Sequence, residues 1–155
     1  MIPNRPRRLE DISYVGYQRY FLTVCTASRH RAFEEEKTAL ECTDHLQRSS
    51  RSHDFAIAAY CFMPDHVHVL VYGTSERSDF RAFALLFKKL TGFYYKRRVG
   101  RPLWQPGYYE HVLRNDEVAE TVARYILENP IRAGLTRTLA EYPFAGSDLY
   151  DHRLV

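Results

Sequence analysis

Cysteine is scarce in this chain, and its spacing excludes two common kinds of small domain. Only three cysteines occur among 155 residues, and no two of them form a C-x-x-C pair. An odd number of widely spaced cysteines argues against a disulfide framework and against a zinc ribbon. The sequence also lacks an apolar run near the roughly 18 residues of a membrane helix, and no apolar core of a signal peptide follows its basic N-terminus. We therefore expect a cytoplasmic protein that makes no use of a membrane.

Acidic residues are missing from one long stretch. Between Arg81 and Arg101 there are seven basic residues and no acidic one, although the net charge of the whole chain is only +3. A basic segment in a nearly neutral chain is typical of a protein that binds a phosphate-bearing partner. A solvated helix face, however, can have the same composition. Composition alone leaves both interpretations open.

The spacing of apolar residues changes repeatedly and predicts an α+β fold. Runs of aromatic and β-branched residues predict strands at 17–27, 55–63, 66–73 and 108–114. Amphipathic periodicity predicts helices at 33–50, 78–100 and 115–129, the last with Asn115 as its N-cap and Pro130 as its end. This order predicts a ferredoxin-like βαββαβ sandwich, an antiparallel sheet with helices on one face, plus a C-terminal helix that carries a tyrosine. We expect one domain over 1–155, with 1–13 as a flexible basic arm and 142–155 as a tail.

Two histidines interrupt the apolar strand in the segment MPDHVHVLVYG. Side chains at positions i and i+2 of a strand project from the same face, so His66 and His68 stand side by side. Two imidazoles on a rigid strand can hold a metal ion. A bare H-x-H pair is nevertheless more often a pair of hydrogen-bonded strand histidines, and two ligands do not complete a metal site.

The last predicted helix offers further polar groups. Tyr125 and Asn129 lie four residues apart and therefore share one helix face. Each residue alone fits ordinary helix packing or a helix cap. The combination of a histidine strand, a basic aromatic helix and a Tyr-x-x-x-Asn helix favours a functional site.

Four segments carry that combination in order: YCFMPDHVHVLVYG, FKKLTGFYYKRR, LWQPGYYEHVLRN and ARYILENPIRAGL. In this order they resemble the single-tyrosine HUH transposases of the IS200-like superfamily, and most closely the REP-associated tyrosine transposase-like proteins. The resemblance implies that His66 and His68 bind a divalent metal ion and that Tyr125 is the nucleophile. Asn129 stands where the insertion-sequence relatives usually carry a glutamine ligand. Those relatives are dimers, whereas the REP-associated branch acts as monomers, so the resemblance implies a monomer or a homodimer.

The activity implied by the resemblance is metal-dependent cleavage and rejoining of single-stranded DNA near hairpin (REP-like) elements, through a 5′-phosphotyrosine intermediate. A phenol is ionised in only about one molecule in a thousand at neutral pH, and a nearby cation favours the phenolate. The implied cofactor is Mg²⁺ or Mn²⁺. Two imidazole ligands suit Mn²⁺ at least as well as Mg²⁺, and zinc would also bind.

Basic and aromatic residues of the second segment and its neighbours are the candidates for DNA binding, through phosphate contacts and base stacking. They are Lys88, Lys89, Tyr95, Lys96, Arg97, Arg98, Arg101, Trp104 and Arg114. Two other functions remain open. The chain could be a hairpin-binding protein or repressor with an inactive relic of the site, or a hydrolase whose histidines activate water with help from Asp65.

Overall fold

The structure is a computed structural model that describes residues 14–114 and 118–150, so the predicted arm at 1–13, the predicted cap Asn115 and residues 151–155 lie outside it. The elements in chain order are β1 (Arg19–Cys25), α1 (Glu36–Ser52), β2 (Phe55–Met63), β3 (His66–Gly73), α2 (Phe80–Val99), β4 (Tyr109–Val112), α3 (Ala119–Arg132) and β5 (Ala145–Gly146). Within the described ranges, no helix has both the length and the apolar character needed to span a bilayer. The predicted βαββαβ order with an added helix is confirmed.

All five strands form one antiparallel sheet in the order β4-β1-β3-β2-β5. Side chains alternate between its two faces. On one face Leu22 and Val69 join Phe83 of α2 in the larger apolar core. On the other face Ala59 of β2 joins Ile126 of α3 in a second core. The sheet therefore separates α1 and α2 from α3, the helix that carries Tyr125.

Besides small shifts at other element ends, the structure differs from the sequence-based prediction at the end of α3 and in one added strand. Pro130 was predicted to end the last helix, but α3 continues through it to Arg132. A proline costs a helix one N–H donor, and Pro130 is in the last turn, where a single bond is lost and the buried ring packs against the core. The short strand β5 was not predicted, because two residues that pair with Tyr60 and Cys61 carry no periodic pattern.

Candidate active site

The first residues of β3 present two imidazoles on the sheet face that α3 covers. The ring centres of His66 and His68 are 4.7 Å apart. Val67 between them is fully buried in the core on the opposite face. Strand register sets His68 opposite Thr23 of β1. The side-by-side arrangement expected from the H-x-H spacing is therefore present, and binding of a metal by this pair stays a prediction.

Each imidazole has one ring nitrogen held by a neighbour. Nδ1 of His66 lies 2.7 Å from Oδ1 of Asp65, and Nδ1 of His68 lies 2.8 Å from Oγ1 of Thr23. Although burial raises the pKa of Asp65, its hydrogen bonds with Arg29 and His66 bring that pKa below its usual value. The carboxylate is thus an acceptor, so Nδ1 of His66 carries the proton and Nε2 has the lone pair that a metal requires.

Electrostatics keep the second imidazole neutral. Burial, followed by the charges of His66, Arg132 and Arg29, lowers the pKa of His68 to about 3. A metal ligand must be a neutral imidazole, and His68 is neutral at physiological pH without any deprotonation step. Two imidazoles with anchored Nδ1 atoms are a donor set that fits a divalent first-row ion.

Oxygen ligands would have to complete such a site. In the described parts of the chain, no three His, Cys, Asp or Glu side chains come together as a metal cluster. Asn129 is partly buried in the last full turn of α3. Arg132, three residues further along α3, is one of the charges that act on His68. The role of Asn129 as a ligand stays a prediction.

Tyr125 lies on the exposed edge of α3, with 53% of its surface accessible to solvent. It lines a cleft of about 330 Å³ together with Phe21 of β1 and His111 of β4. The Phe21 ring is 5.3 Å from the ring of His68, centre to centre. Phe21 therefore lies between the cleft beside Tyr125 and the histidine pair, and the tyrosine side chain is open to solvent.

Arg132, whose charge helps to lower the pKa of His68, also contacts Tyr125. Its guanidinium lies 4.1 Å from the centre of the Tyr125 ring, and Nη2 donates a 2.5 Å hydrogen bond to the Tyr125 carbonyl. Sequence reasoning missed Arg132, although seven residues after Tyr125 is two helical turns and places both on one face. It also missed Thr23, whose partner His68 lies 45 positions away in the sequence.

Two of the basic residues predicted to bind DNA are engaged inside the fold. The Arg98 guanidinium ties α2 to α1 by hydrogen bonds to Glu35, Glu41 and Thr38, the last at 2.6 Å. The Lys88 ammonium donates to two backbone carbonyls of the loop after α2, those of Gln105 and Gly107, at 3.0 and 2.7 Å. Both side chains support the packing of α2.

The two aromatic candidates are also part of the packing. Tyr95 is 5% exposed, and its hydroxyl lies 3.1 Å from Nε2 of His30. Trp104 is partly buried, and its Nε1 donates a 2.7 Å hydrogen bond to Oγ1 of Thr91. The buried Tyr95 ring cannot stack on a base, and these contacts favour a structural role for both residues.

The remaining candidates have exposed side chains: Lys89, Lys96, Arg97, Arg101 and Arg114. Three of them cluster at the C-terminal end of α2. The chain then returns to the end of β1, where Ala27 N donates to Leu103 O at 2.8 Å and Thr26 N donates to Asp65 O at 3.0 Å. The basic end of α2 and the histidine pair therefore lie at the same end of the sheet, on opposite faces.

Comparison with known proteins identifies the family. The family model of IS200-like transposases matches residues 15–129, a span that contains both histidines, Tyr125 and Asn129. The chain belongs to this transposase family. Among its relatives in the family, the REP-associated tyrosine transposase of Escherichia coli K12 is 25% identical over 134 residues, which cover 85% of this chain and 78% of the relative.

Two further comparisons agree with that assignment. A Haemophilus influenzae protein named for the same class is 23% identical over 138 residues, which cover 81% of this chain and 77% of the relative. The solved structure of a REP-associated tyrosine transposase bound to a REP hairpin superposes with a TM-score of 0.73 at 23% identity, covering 92% of this chain and 81% of that one. The transposase fold predicted from the four sequence segments is confirmed.

Proposed function

We propose that this transposase-family protein is a metal-dependent single-stranded DNA endonuclease and strand transferase that cuts beside hairpin repeats with Tyr125 as its nucleophile. The observation that carries the proposal is the cleft shared by Tyr125 and Phe21, because the Phe21 ring in turn contacts His68. A scissile phosphate would have to bind at the Phe21 side of that cleft, where the phenol of α3 and the imidazoles of β3 could both approach it. Membership of the transposase family and the hairpin bound by a solved relative support DNA as the substrate.

Different residues of the chain would bind the metal ion and attack the phosphate. His66 and His68, with Asn129, would hold Mg²⁺ or Mn²⁺, and the bound ion would polarise the scissile phosphate and offset its growing negative charge. The Tyr125 phenolate oxygen attacks phosphorus, the bond from phosphorus to the 3′ oxygen breaks, and that oxygen leaves as a 3′-hydroxyl after taking a proton. The downstream strand then remains on Tyr125 as a 5′-phosphotyrosine. One phosphodiester replaces another, so a 3′-hydroxyl can reverse or redirect the step without ATP.

The basic end of α2 supports a path for the DNA. Lys96, Arg97 and Arg101 are exposed at the same end of the sheet as His66. Phosphates held there can lead a flexible single strand around the sheet end into the cleft, whereas a rigid duplex could not make that turn as easily. Because Tyr125 shares the cleft with Phe21 of its own chain, we expect the tyrosine to act with the histidines of the same chain.

The proposal is tested by trapping the covalent intermediate. The full chain is incubated with Mn²⁺ and a hairpin-bearing single-stranded DNA labelled at its 3′ end, and the products are separated on a denaturing gel. We expect a labelled protein–DNA adduct that disappears in Tyr125→Phe and in excess chelator. Tyr17→Phe is the matched control, because Tyr17 is also an exposed tyrosine, at 69%, and lies in the segment before β1, outside the cleft that Tyr125 lines.

The same gel separates the alternative functions. Hairpin binding by the wild-type chain with no adduct would contradict cleavage and favour a hairpin-binding protein or repressor. Cleavage that survives Tyr125→Phe would contradict the tyrosine mechanism and favour water activated at the histidine pair.

A further inference from the structure

A chain of contacts runs from the loop after β1 to the first histidine. Asp65 is in the two-residue turn between β2 and β3, directly before His66. Its Oδ1 is 2.7 Å from Nδ1 of His66, and its Oδ2 accepts from both Nε and Nη2 of Arg29 at 3.0 Å. One carboxylate therefore joins a guanidinium to an imidazole, with each of its oxygens assigned to a different partner.

The loop that carries Arg29 adopts an unusual backbone conformation. Ser28 and Arg29 are consecutive non-glycine residues with φ of 54°. Left-handed backbone is rare for such residues and persists where surrounding contacts hold it. Those contacts are present, since the backbone N and Oγ1 of Thr26 both donate to the carbonyl of Asp65 at 3.0 Å. Backbone and side-chain hydrogen bonds thus join the strained loop to the turn before His66.

An ordinary surface ion pair does not account for this arrangement. Exposed ion pairs contribute little and require no strained backbone, whereas the Asp65 side chain is only 25% exposed and already engaged by His66. Without Arg29 the carboxylate could rotate away from Nδ1, and the imidazole could then exchange its proton between its two nitrogens. The tautomer of His68 would be unaffected, because its Nδ1 is held by Thr23.

We propose that Arg29 is a positioning residue that acts through Asp65 to fix the ring orientation and the Nδ1–H tautomer of His66, so that Nε2 is presented to a divalent cation. The inference rests on the proposed function only in taking His66 and His68 as the metal-binding pair. It adds a residue 37 positions before that histidine to the site. Arg29 itself touches neither the metal nor the DNA in this role.

The test compares Arg29→Met with Arg29→Lys and with the matched control Arg31→Met in the full chain without DNA. Arg31 is in the same loop, and its exposed side chain forms its ion pair with Glu34 and not with Asp65 in the described part of the chain. Mn²⁺ affinity is measured from the free-ion signal in electron paramagnetic resonance, and imidazole tautomers are measured by ¹⁵N NMR. Circular dichroism verifies that each variant is folded.

We expect Arg29→Met to weaken Mn²⁺ binding by about tenfold, within the range usual for loss of an outer-shell partner. Arg29→Lys should restore part of that loss, and Arg31→Met should bind as the wild type does. The NMR spectrum of Arg29→Met should show mixed tautomers at His66 and an unchanged tautomer at His68. Wild-type Mn²⁺ affinity together with an unchanged His66 tautomer in Arg29→Met would overturn the inference. If the wild-type chain bound no Mn²⁺, the proposed metal pair would fail, while the NMR readout would still decide whether Arg29 fixes His66.

Discussion

The hydroxyl of Thr23 lies 2.8 Å from Nδ1 of His68, across the pairing of β1 with β3. In the tautomer that leaves Nε2 free for a metal, Nδ1–H donates to this hydroxyl. The two histidines are therefore anchored by different means, His66 by a carboxylate and His68 by an alcohol. Since the partner of a metal-binding histidine sets its orientation, each anchor can be tested separately.

Thr23→Val should weaken Mn²⁺ binding by about tenfold, because valine keeps the shape and strand preference of threonine but cannot hold Nδ1 of His68. Isothermal titration calorimetry without DNA measures this loss. Thr43→Val is the control, since the Thr43 hydroxyl donates within its own helix, to the Ala39 carbonyl. An equal loss of affinity in both variants would contradict a specific role for Thr23.

Arg98 and Arg97 are neighbours with different expected roles. Arg98→Met should lower the free energy of unfolding by about 1–3 kcal/mol, because it removes hydrogen bonds to two carboxylates and Thr38 on α1. Arg97→Met should change that free energy by less than about 0.5 kcal/mol, since the Arg97 side chain is exposed. Urea denaturation followed by circular dichroism gives both values.

On DNA binding, the same two variants should have the reverse order of effect, with Arg97→Met weakening it more than Arg98→Met. Arg97→Met should weaken binding of a hairpin-bearing single strand, and it should reduce the slope of log affinity against log salt by about 0.7 for each phosphate that Arg97 neutralises. Arg98→Met, measured where it is folded, should keep the wild-type salt slope. A reduced slope in Arg98→Met alone would show that the guanidinium leaves α1 to bind phosphate.

Arg132→Met should slow formation of the protein–DNA adduct by about three- to tenfold, the amount expected from removing one cation–π interaction and one hydrogen bond that hold Tyr125. Hairpin affinity should change little, so the effect falls on the rate. Arg124→Met is the matched control on the exposed surface of the same helix. Equal slowing in both variants would indicate a general effect of charge on α3.

The sequence predicted β2 and β3 without error, at 55–63 and 66–73, because two largely apolar runs are separated by a proline and an aspartate. It also predicted that His66 and His68 share a face, since that follows from strand geometry alone. The end of α3 was wrong. The tendency of a residue before proline to leave helical geometry was outweighed by the packing of the buried Pro130 ring.

Contacts between side chains that are far apart in the sequence could not be predicted from it. The contact of Thr23 with His68 depends on strand register, and the contact of Arg29 with Asp65 depends on a left-handed loop that no composition signals. Helical periodicity placed Arg97 and Arg98 on α2 but could not tell which one bonds to α1. Tyr95 and Trp104 were assigned to DNA from their chemistry, and their packing against the core depends on how α2 lies on the sheet.

Identifying the amino acid that becomes attached to DNA is the most direct test of the account. The wild-type chain is reacted with Mn²⁺ and hairpin-bearing single-stranded DNA, the adduct is digested with nuclease and trypsin, and the peptides are sequenced by mass spectrometry. Trypsin cuts after Arg124 and Arg132, which releases residues 125–132 with Tyr125 as the single tyrosine. The account predicts a nucleotide joined through its 5′ phosphate to that tyrosine. A nucleotide on any other residue, or cut DNA with no modified peptide, would contradict it.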